Sequence, residues 1–318
     1  MEEHIIIDAH SHLWLRQDTR VDGKEIRTTH DGRSIFLGEE VQMLPPFMID
    51  GVNSAEVFLS NMNYAQVAAA VVVQEIIDGN QNAYLLDVQH RYPNRFLTMG
   101  MVEFRYRHDP LQEVHDVIAQ GFRGLAIPGH RLLSVPTSAD ETCFETLHLN
   151  SDRMMSFFKL LEQHDIILSI CLADDEGQIR EMAEVIQECP QLKVAIGHFG
   201  MATTPSFRSQ VLLAREGENV MIESGGITWL YNSEFYPYPT AIRRIRQAAD
   251  LVGIDRLMWG SDYPRTITAI TYRMSYDFIL KSDSFTPAEK TLFLGRNAVS
   301  FYRLHHLPTL PYIKNMSE

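Results

Sequence analysis

Short apolar blocks recur along the chain. A polar stretch with turn residues separates each block from the next, followed by a segment with helical spacing. The first block, Ile5-Ile6-Ile7, runs into Asp8-Ala9-His10-Ser11-His12. The next, at 67–73, is unbroken Val and Ala, the signature of a strand buried on both faces. Further strands are read at 96–101, 122–127, 166–171, 192–197, 219–223 and 256–260. Helical spacing predicts helices up to Gln66 and at about 80–91, 110–119, 151–164, 176–188, 206–216 and 239–252, with a last one over 287–303. Asn53, with Glu56 three residues on, reads as a capping box that opens the first helix.

Eight strands alternating with helices predict parallel β-α-β crossovers. Short joints such as Tyr92-Pro93-Asn94-Arg95-Phe96 and Cys189-Pro190-Gln191-Leu192 fit that plan. The expected fold class is α/β, a single (β/α)8 barrel over residues 1–304, with a tail at 305–318. An open doubly wound sheet fits less well, because no Gly-rich nucleotide loop follows the first strand. Residues 15–50 form a long insertion after the first strand. They read as polar and irregular, with turn signals at Asp22-Gly23, Asp31-Gly32 and Pro45-Pro46. Because the insertion leaves the chain straight after His12, it is expected to pack over the barrel mouth or across a subunit contact.

Composition narrows the class. The chain has 318 residues, 45% of them hydrophobic, enough to bury a large core. Its net charge of −13 argues against nucleic acid as a partner. No apolar stretch approaches the roughly 20 residues that span a bilayer, and Met1-Glu2-Glu3-His4 lacks the basic start of a signal peptide. Cys143, Cys171 and Cys189 are odd in number and scattered, which suits reduced thiols in a cytoplasmic protein. The expected partner is a small-molecule substrate, with a homo-oligomer left open.

In a barrel of this kind the chemistry sits at the C-terminal strand ends. Those ends carry His10 and His12, Gln74-Glu75, Glu103, His130-Arg131, Cys171, His198, Glu223 and Asp262. His10 and His12, two apart on a strand, point to one face. Three imidazoles and the Asp262 carboxylate at one mouth suit attack of water on an electrophilic carbon. The carboxylate takes a proton, while the imidazoles, or a metal they hold, polarise a carbonyl. His10, His12, His198 and Asp262 are therefore the expected catalytic residues, with Glu103 or Glu223 as the base if Asp262 is not.

Asp8-Ala9-His10-Ser11-His12-Leu13-Trp14, Val194-Ala195-Ile196-Gly197-His198-Phe199-Gly200 and Trp259-Gly260-Ser261-Asp262-Tyr263-Pro264 resemble, in order and spacing, the amidohydrolase superfamily. The likeness is to its amidohydrolase-related branch, closest to the sugar-acid and dicarboxylate lactonases. It implies a barrel hydrolase, metal-assisted or metal-independent, in which Asp262 activates water. Strand four has no lysine to bridge two metals, and Cys171 stands where many members place a histidine ligand. The expectation is at most one divalent metal, zinc by preference, on His10, His12 and Asp262. The resemblance implies hydrolysis of a small polar lactone. The alternatives are non-oxidative decarboxylation of an unsaturated or aromatic acid and an inactive barrel that only binds.

Substrate-binding candidates are thinner. Trp229 and Tyr231 offer an aromatic pair at the rim. Arg131 with His130 offers donors for a carboxylate or hydroxyls. Gln74 and Glu103 lie at strand ends, and Arg105-Tyr106-Arg107-His108 is a further anion-binding candidate.

Overall fold

Eight parallel strands form the centre of the molecule in this computed structural model, which describes residues 5–107, 109–314 and 316. Met1 to His4 at the acidic N-terminus, and His108 of the basic run, lie outside the described residues. The strands are β1 (Ile6–Ser11), β2 (Val67–Val72), β3 (Phe96–Thr98), β4 (Gly124–Ile127), β5 (Ile167–Ile170), β6 (Val194–Ile196), β7 (Val220–Glu223) and β8 (Leu257–Met258). β1, β2 and β3 pair in one arc, and β4 to β8 pair in sequence in a second. Two single parallel bridges join the arcs, Gly100 to Leu125 and Ser11 to Tyr263. The strands thus follow one another around a closed (β/α)8 barrel.

The helices between the strands are α1 (Ala55–Ala65), α2 (Asn82–Arg91), α3 (Pro110–Ala119), α4 (Asp152–Gln163), α5 (Glu176–Glu188), α6 (Phe207–Leu212), the short α7 (Ile227–Leu230) and α8 (Pro239–Val252). Their apolar spacing dictates the packing. In α5 the buried set Ile179, Met182, Val185 and Ile186 forms one stripe against the sheet. Inside the barrel, Ile7, Ala9, Ala69, Val71, Leu97, Ala126, Ile167, Ala195, Met221 and Met258 fill the lumen, with Phe301 and Tyr302 in the same cluster. The lumen is a packed core, not a channel. Among the described residues no helix is long and apolar enough to cross a membrane.

Two expectations are corrected. The cap of α1 is Ser54, whose side chain accepts from Val57 N, and not Asn53. Asn53 is drawn away because its side chain donates to the His12 carbonyl at 2.7 Å. The insertion is also not irregular. It folds into a four-stranded antiparallel meander of Asp18–Val21, Lys24–Thr28, Arg33–Phe36 and Glu39–Gln42. Asp22 and Gly23 both take positive φ, the backbone that closes a two-residue hairpin.

Candidate active site

Asp8 sets the register of the site. It is fully buried on β1 and accepts hydrogen bonds from Ser261 N at 2.8 Å, Ser261 Oγ at 2.5 Å, Tyr272 Oη at 2.7 Å and His10 N at 3.2 Å. These bonds tie β1 to the segment after β8, and Asp262 N reaches the His10 carbonyl at 2.9 Å. The first and last motifs of the chain thus meet. The pairing of β1 with β2 slips between Asp8 and Ser11, in the stretch that carries His10.

The three imidazoles converge through their Nε2 edges. His10 Nε2 lies 3.2 Å from His12 Nε2 and 3.7 Å from Asp262 Oδ1, and His12 Nε2 lies 3.2 Å from the same oxygen. The His10 and His198 rings are 4.7 Å apart, centre to centre. Each Nδ1 has its own acceptor: Glu223 Oε1 for His10 at 2.7 Å, Asp78 Oδ2 for His12 at 2.9 Å, and the Gly225 carbonyl for His198 at 2.9 Å. Such an acceptor fixes how each ring is turned and aims its Nε2 edge inward, as a lone pair where the ring is neutral and as an N–H where it is protonated.

Glu223 is fully buried and also accepts from His198 N at 3.1 Å and Gly225 N at 2.5 Å. Space around this pair is tight. A Cβ on Gly260 would sit 2.7 Å from His10 Cβ, and one on Gly225 would sit 2.8 Å from both His10 Cγ and Glu223 Oε2. His198 and Asp262 both take positive φ, 51° and 57°. A non-glycine residue held there costs about 1–3 kcal/mol and persists only where surrounding contacts enforce it.

Asp262 is held from two sides. Trp229 Nε1 donates to Oδ2 at 2.5 Å, while Oδ1 faces the histidines. Burial works against its charge, but the hydrogen bond from His12 and the fields of His198, His12 and His10 outweigh it. The Asp262 pKa is therefore held well below the usual carboxylate range. Burial likewise opposes a charge on His12, yet the Asp78 carboxylate, together with Asp262, raises its pKa well above the ordinary imidazole value.

The donor set fits a divalent ion. His10, His198 and Asp262 offer ligand atoms within 4.8 Å of one another, and the His10, His12 and Asp262 atoms lie at least as close. Nitrogen and carboxylate donors with oriented outer partners are what zinc takes. Cys171 lines the same cavity. Burial, with Glu223 and Glu75 nearby, raises its thiol pKa well above the usual value, so it is an uncharged wall at neutral pH.

The cavity above this cluster holds about 380 Å³, and the insertion supplies part of its wall through Phe36, Val41, Gln42 and Met43. His130 lies in that wall, its pKa lowered by burial. Gln74 is there too, but its amide is bonded to Asn82, Met99 and Gln81.

Four expected substrate contacts are placed elsewhere. Tyr231 is buried, with its hydroxyl on the Ala202 carbonyl. α7 ends beside it, and two residues on a helical turn point about 200° apart, so Trp229 and Tyr231 do not share a face. Trp229 itself serves Asp262. Both Glu103 oxygens are taken by the Arg105 fork, Oε1 by Nε and Oε2 by Nη2. Arg131 is drawn toward Glu75 and Asp22 and lines a smaller neighbouring cavity.

Asp78 and Arg265 escaped the sequence reading. Asp78 reaches His12 because the chain makes a tight 3-10 turn at Ile76–Asp78, directly after Glu75. Arg265 follows the Asp262 motif by three residues and lies over the Trp229 ring, 3.8 Å from its centre.

The family model for amidohydrolases matches residues 7–304. No curated protein matches the chain. Among solved structures, a probable 2-pyrone-4,6-dicarboxylic acid hydrolase from Acinetobacter baumannii, with citric acid bound, is similar at a TM-score of 0.66 and 20% identity. The match covers 94% of this chain and 99% of that one. An amidohydrolase from Burkholderia multivorans with bound zinc gives 0.64 and 18%, covering 96% and 100%. The 2,6-dihydroxybenzoate decarboxylase from Rhizobium gives 0.59 and 15%, covering 96% and 100%. At these identities the likeness is one of fold.

Proposed function

The chain belongs to the amidohydrolase family, and we propose that it hydrolyses a small polar lactone with Asp262 as the base. The observation that carries this reading is the meeting of Asp262 Oδ1 with His10 and His12 Nε2, at 3.7 and 3.2 Å, beneath a cavity of about 380 Å³. That volume suits a small ring compound.

In this reading a water molecule lies between Asp262 Oδ1 and the lactone carbonyl carbon. Asp262 accepts its proton as the new C–O bond forms. The carbonyl oxygen becomes an oxyanion facing the imidazole cluster, where His12, kept cationic by Asp78 and Asp262, supplies positive charge. The ring C–O bond then breaks. The alkoxide takes the proton back from Asp262, leaving a hydroxy acid. Trp229 keeps Oδ2 occupied, so Oδ1 is the atom that moves the proton. One zinc ion on His10, Asp262 and either His12 or His198 would add Lewis acidity at the carbonyl.

A second reading is supported by the apolar part of the cavity wall. Phe36, Val41, Met43, Ile77, Ile127 and Pro264 suit a flat unsaturated acid, as a decarboxylase would take. Proton release from a panel of lactones, set against loss of ultraviolet absorbance from unsaturated acids, separates the two. Silence in both assays would favour a barrel that only binds.

A further inference from the structure

Among the described residues three carboxylates line the cavity, and each already has a partner. Glu75 faces Arg131 and His130, Asp78 faces His12, and Asp262 faces His12 and Trp229. Arg265 is the one Arg or Lys among the described residues of that wall. Among the described residues its guanidinium has no carboxylate or carbonyl partner, and it lies over the face of Trp229. A cation over an indole face is attracted by the ring and loses little hydration. The N–H groups of a guanidinium lie in its own plane, so stacking leaves its edge free. That edge matches the two oxygens of a carboxylate. Arg265 is also three residues from Asp262 and sits on the indole that holds it, so an anion there is placed at a fixed offset from the reacting carbon.

We propose that Arg265 is a specificity-determining residue that receives a carboxylate carried by the substrate ring, outside the bond that is cleaved. The inference deepens the lactone-hydrolase reading and rests on it for the nature of the ring. The geometry commits to a carboxylic acid with one charge at the cavity mouth and an apolar or weakly polar body against Phe36, Val41 and Met43.

The test uses an inert ring acid, 3-oxocyclopentane-1-carboxylate, and its methyl ester, titrated by calorimetry into the wild-type protein and the Arg265→Met and Arg265→Lys variants. The expected result is that the wild type prefers the acid. Arg265→Met should weaken acid binding about tenfold and leave the ester unchanged, while Arg265→Lys falls between, because a point charge replaces the fork. A wild type without preference for the acid would overturn the proposal. So would an equal loss for acid and ester in Arg265→Met, since that result marks an effect exerted through Trp229. Opening of 5-oxotetrahydrofuran-3-carboxylate is followed separately. A wild type that prefers the inert acid but leaves this lactone intact contradicts the lactone reading and supports the Arg265 subsite.

Discussion

Trp229 donates its indole N–H to Asp262 Oδ2 at 2.5 Å, and this bond decides which carboxylate oxygen faces the histidines. Asp262 is buried with an unfavourable backbone φ, so its side chain needs such a constraint. Trp229→Phe keeps most of the ring and removes only the donor. A hydrogen bond to a charged group contributes about 1.5–3 kcal/mol. Turnover should therefore fall about tenfold or more, with KM little changed and the circular dichroism spectrum intact. Unchanged turnover would mean that Asp262 is oriented by the histidines alone.

Glu223 acts on the same cluster from below. Its carboxylate fixes the His10 ring and also holds the backbone of His198 and Gly225. Zinc titration should reach one ion per chain, and Glu223→Gln should weaken the affinity by about 10–100-fold. Ligation by His12 displaces the proton that its raised pKa retains, so affinity should weaken as pH falls. Two ions per chain by elemental analysis would contradict this site.

Asp8 gives the fold a pH dependence of definite sign. Burial raises its pKa from the ordinary 3.8 to about 6, against the hydrogen bonds it accepts. Between those values the folded chain binds more protons than the unfolded chain, so the contribution of Asp8 falls as pH rises through the window. Asp8→Asn cannot ionise. Its deficit relative to wild type should be larger at pH 4 than at pH 7, by about 2 kcal/mol. Urea unfolding of both proteins at the two pH values checks this, and a deficit that grows toward pH 7 would reverse the sign.

The barrel was legible because buried parallel strands are continuous apolar runs. Residues 67–72 carry no polar side chain, and all are buried. The His10, His12, His198 and Asp262 cluster was legible because strand ends of a barrel share one mouth. The small sheet of the insertion was hidden. Five of the nine residues in Asp18–Val21 and Lys24–Thr28 are charged and only Val21, Ile26 and Thr28 are buried, so no apolar run announces them. The Asp22-Gly23 and Asp31-Gly32 turn signals, each between two paired strands, are the trace the sheet leaves in the sequence. Tyr231 does not join Trp229 at the rim because the chain turns through α7 directly before it, and no apolar spacing marks so short a helix. Asp78 and Arg265 were missed for a related reason: each reaches the site from a tight turn after a strand end, and spacing rules for strands and long helices do not cover such turns.

The insertion tests how the cavity selects its substrate. Phe36, Val41, Gln42 and Met43 are wall residues, yet among the described residues the meander pairs with no barrel strand. Replacing residues 18–42 with a short Gly-Ser linker should leave a folded barrel and impair turnover or substrate choice. The thermal transition and a lactone panel measure the two effects. Unchanged turnover across the panel would show that the meander does not shape the site.

The account turns on Asp262 as the group that takes the proton from water. Asp262→Asn keeps the size and the contact with Trp229 and removes the base. A positioned general base is worth about 10²–10⁴ in rate. The direct measurement is lactone hydrolysis, followed by proton release, in Asp262→Asn beside wild type at equal fold content. A fall of about 10²-fold or more is the predicted result. Hydrolysis at the wild-type rate would contradict the account and place the base elsewhere in the cavity.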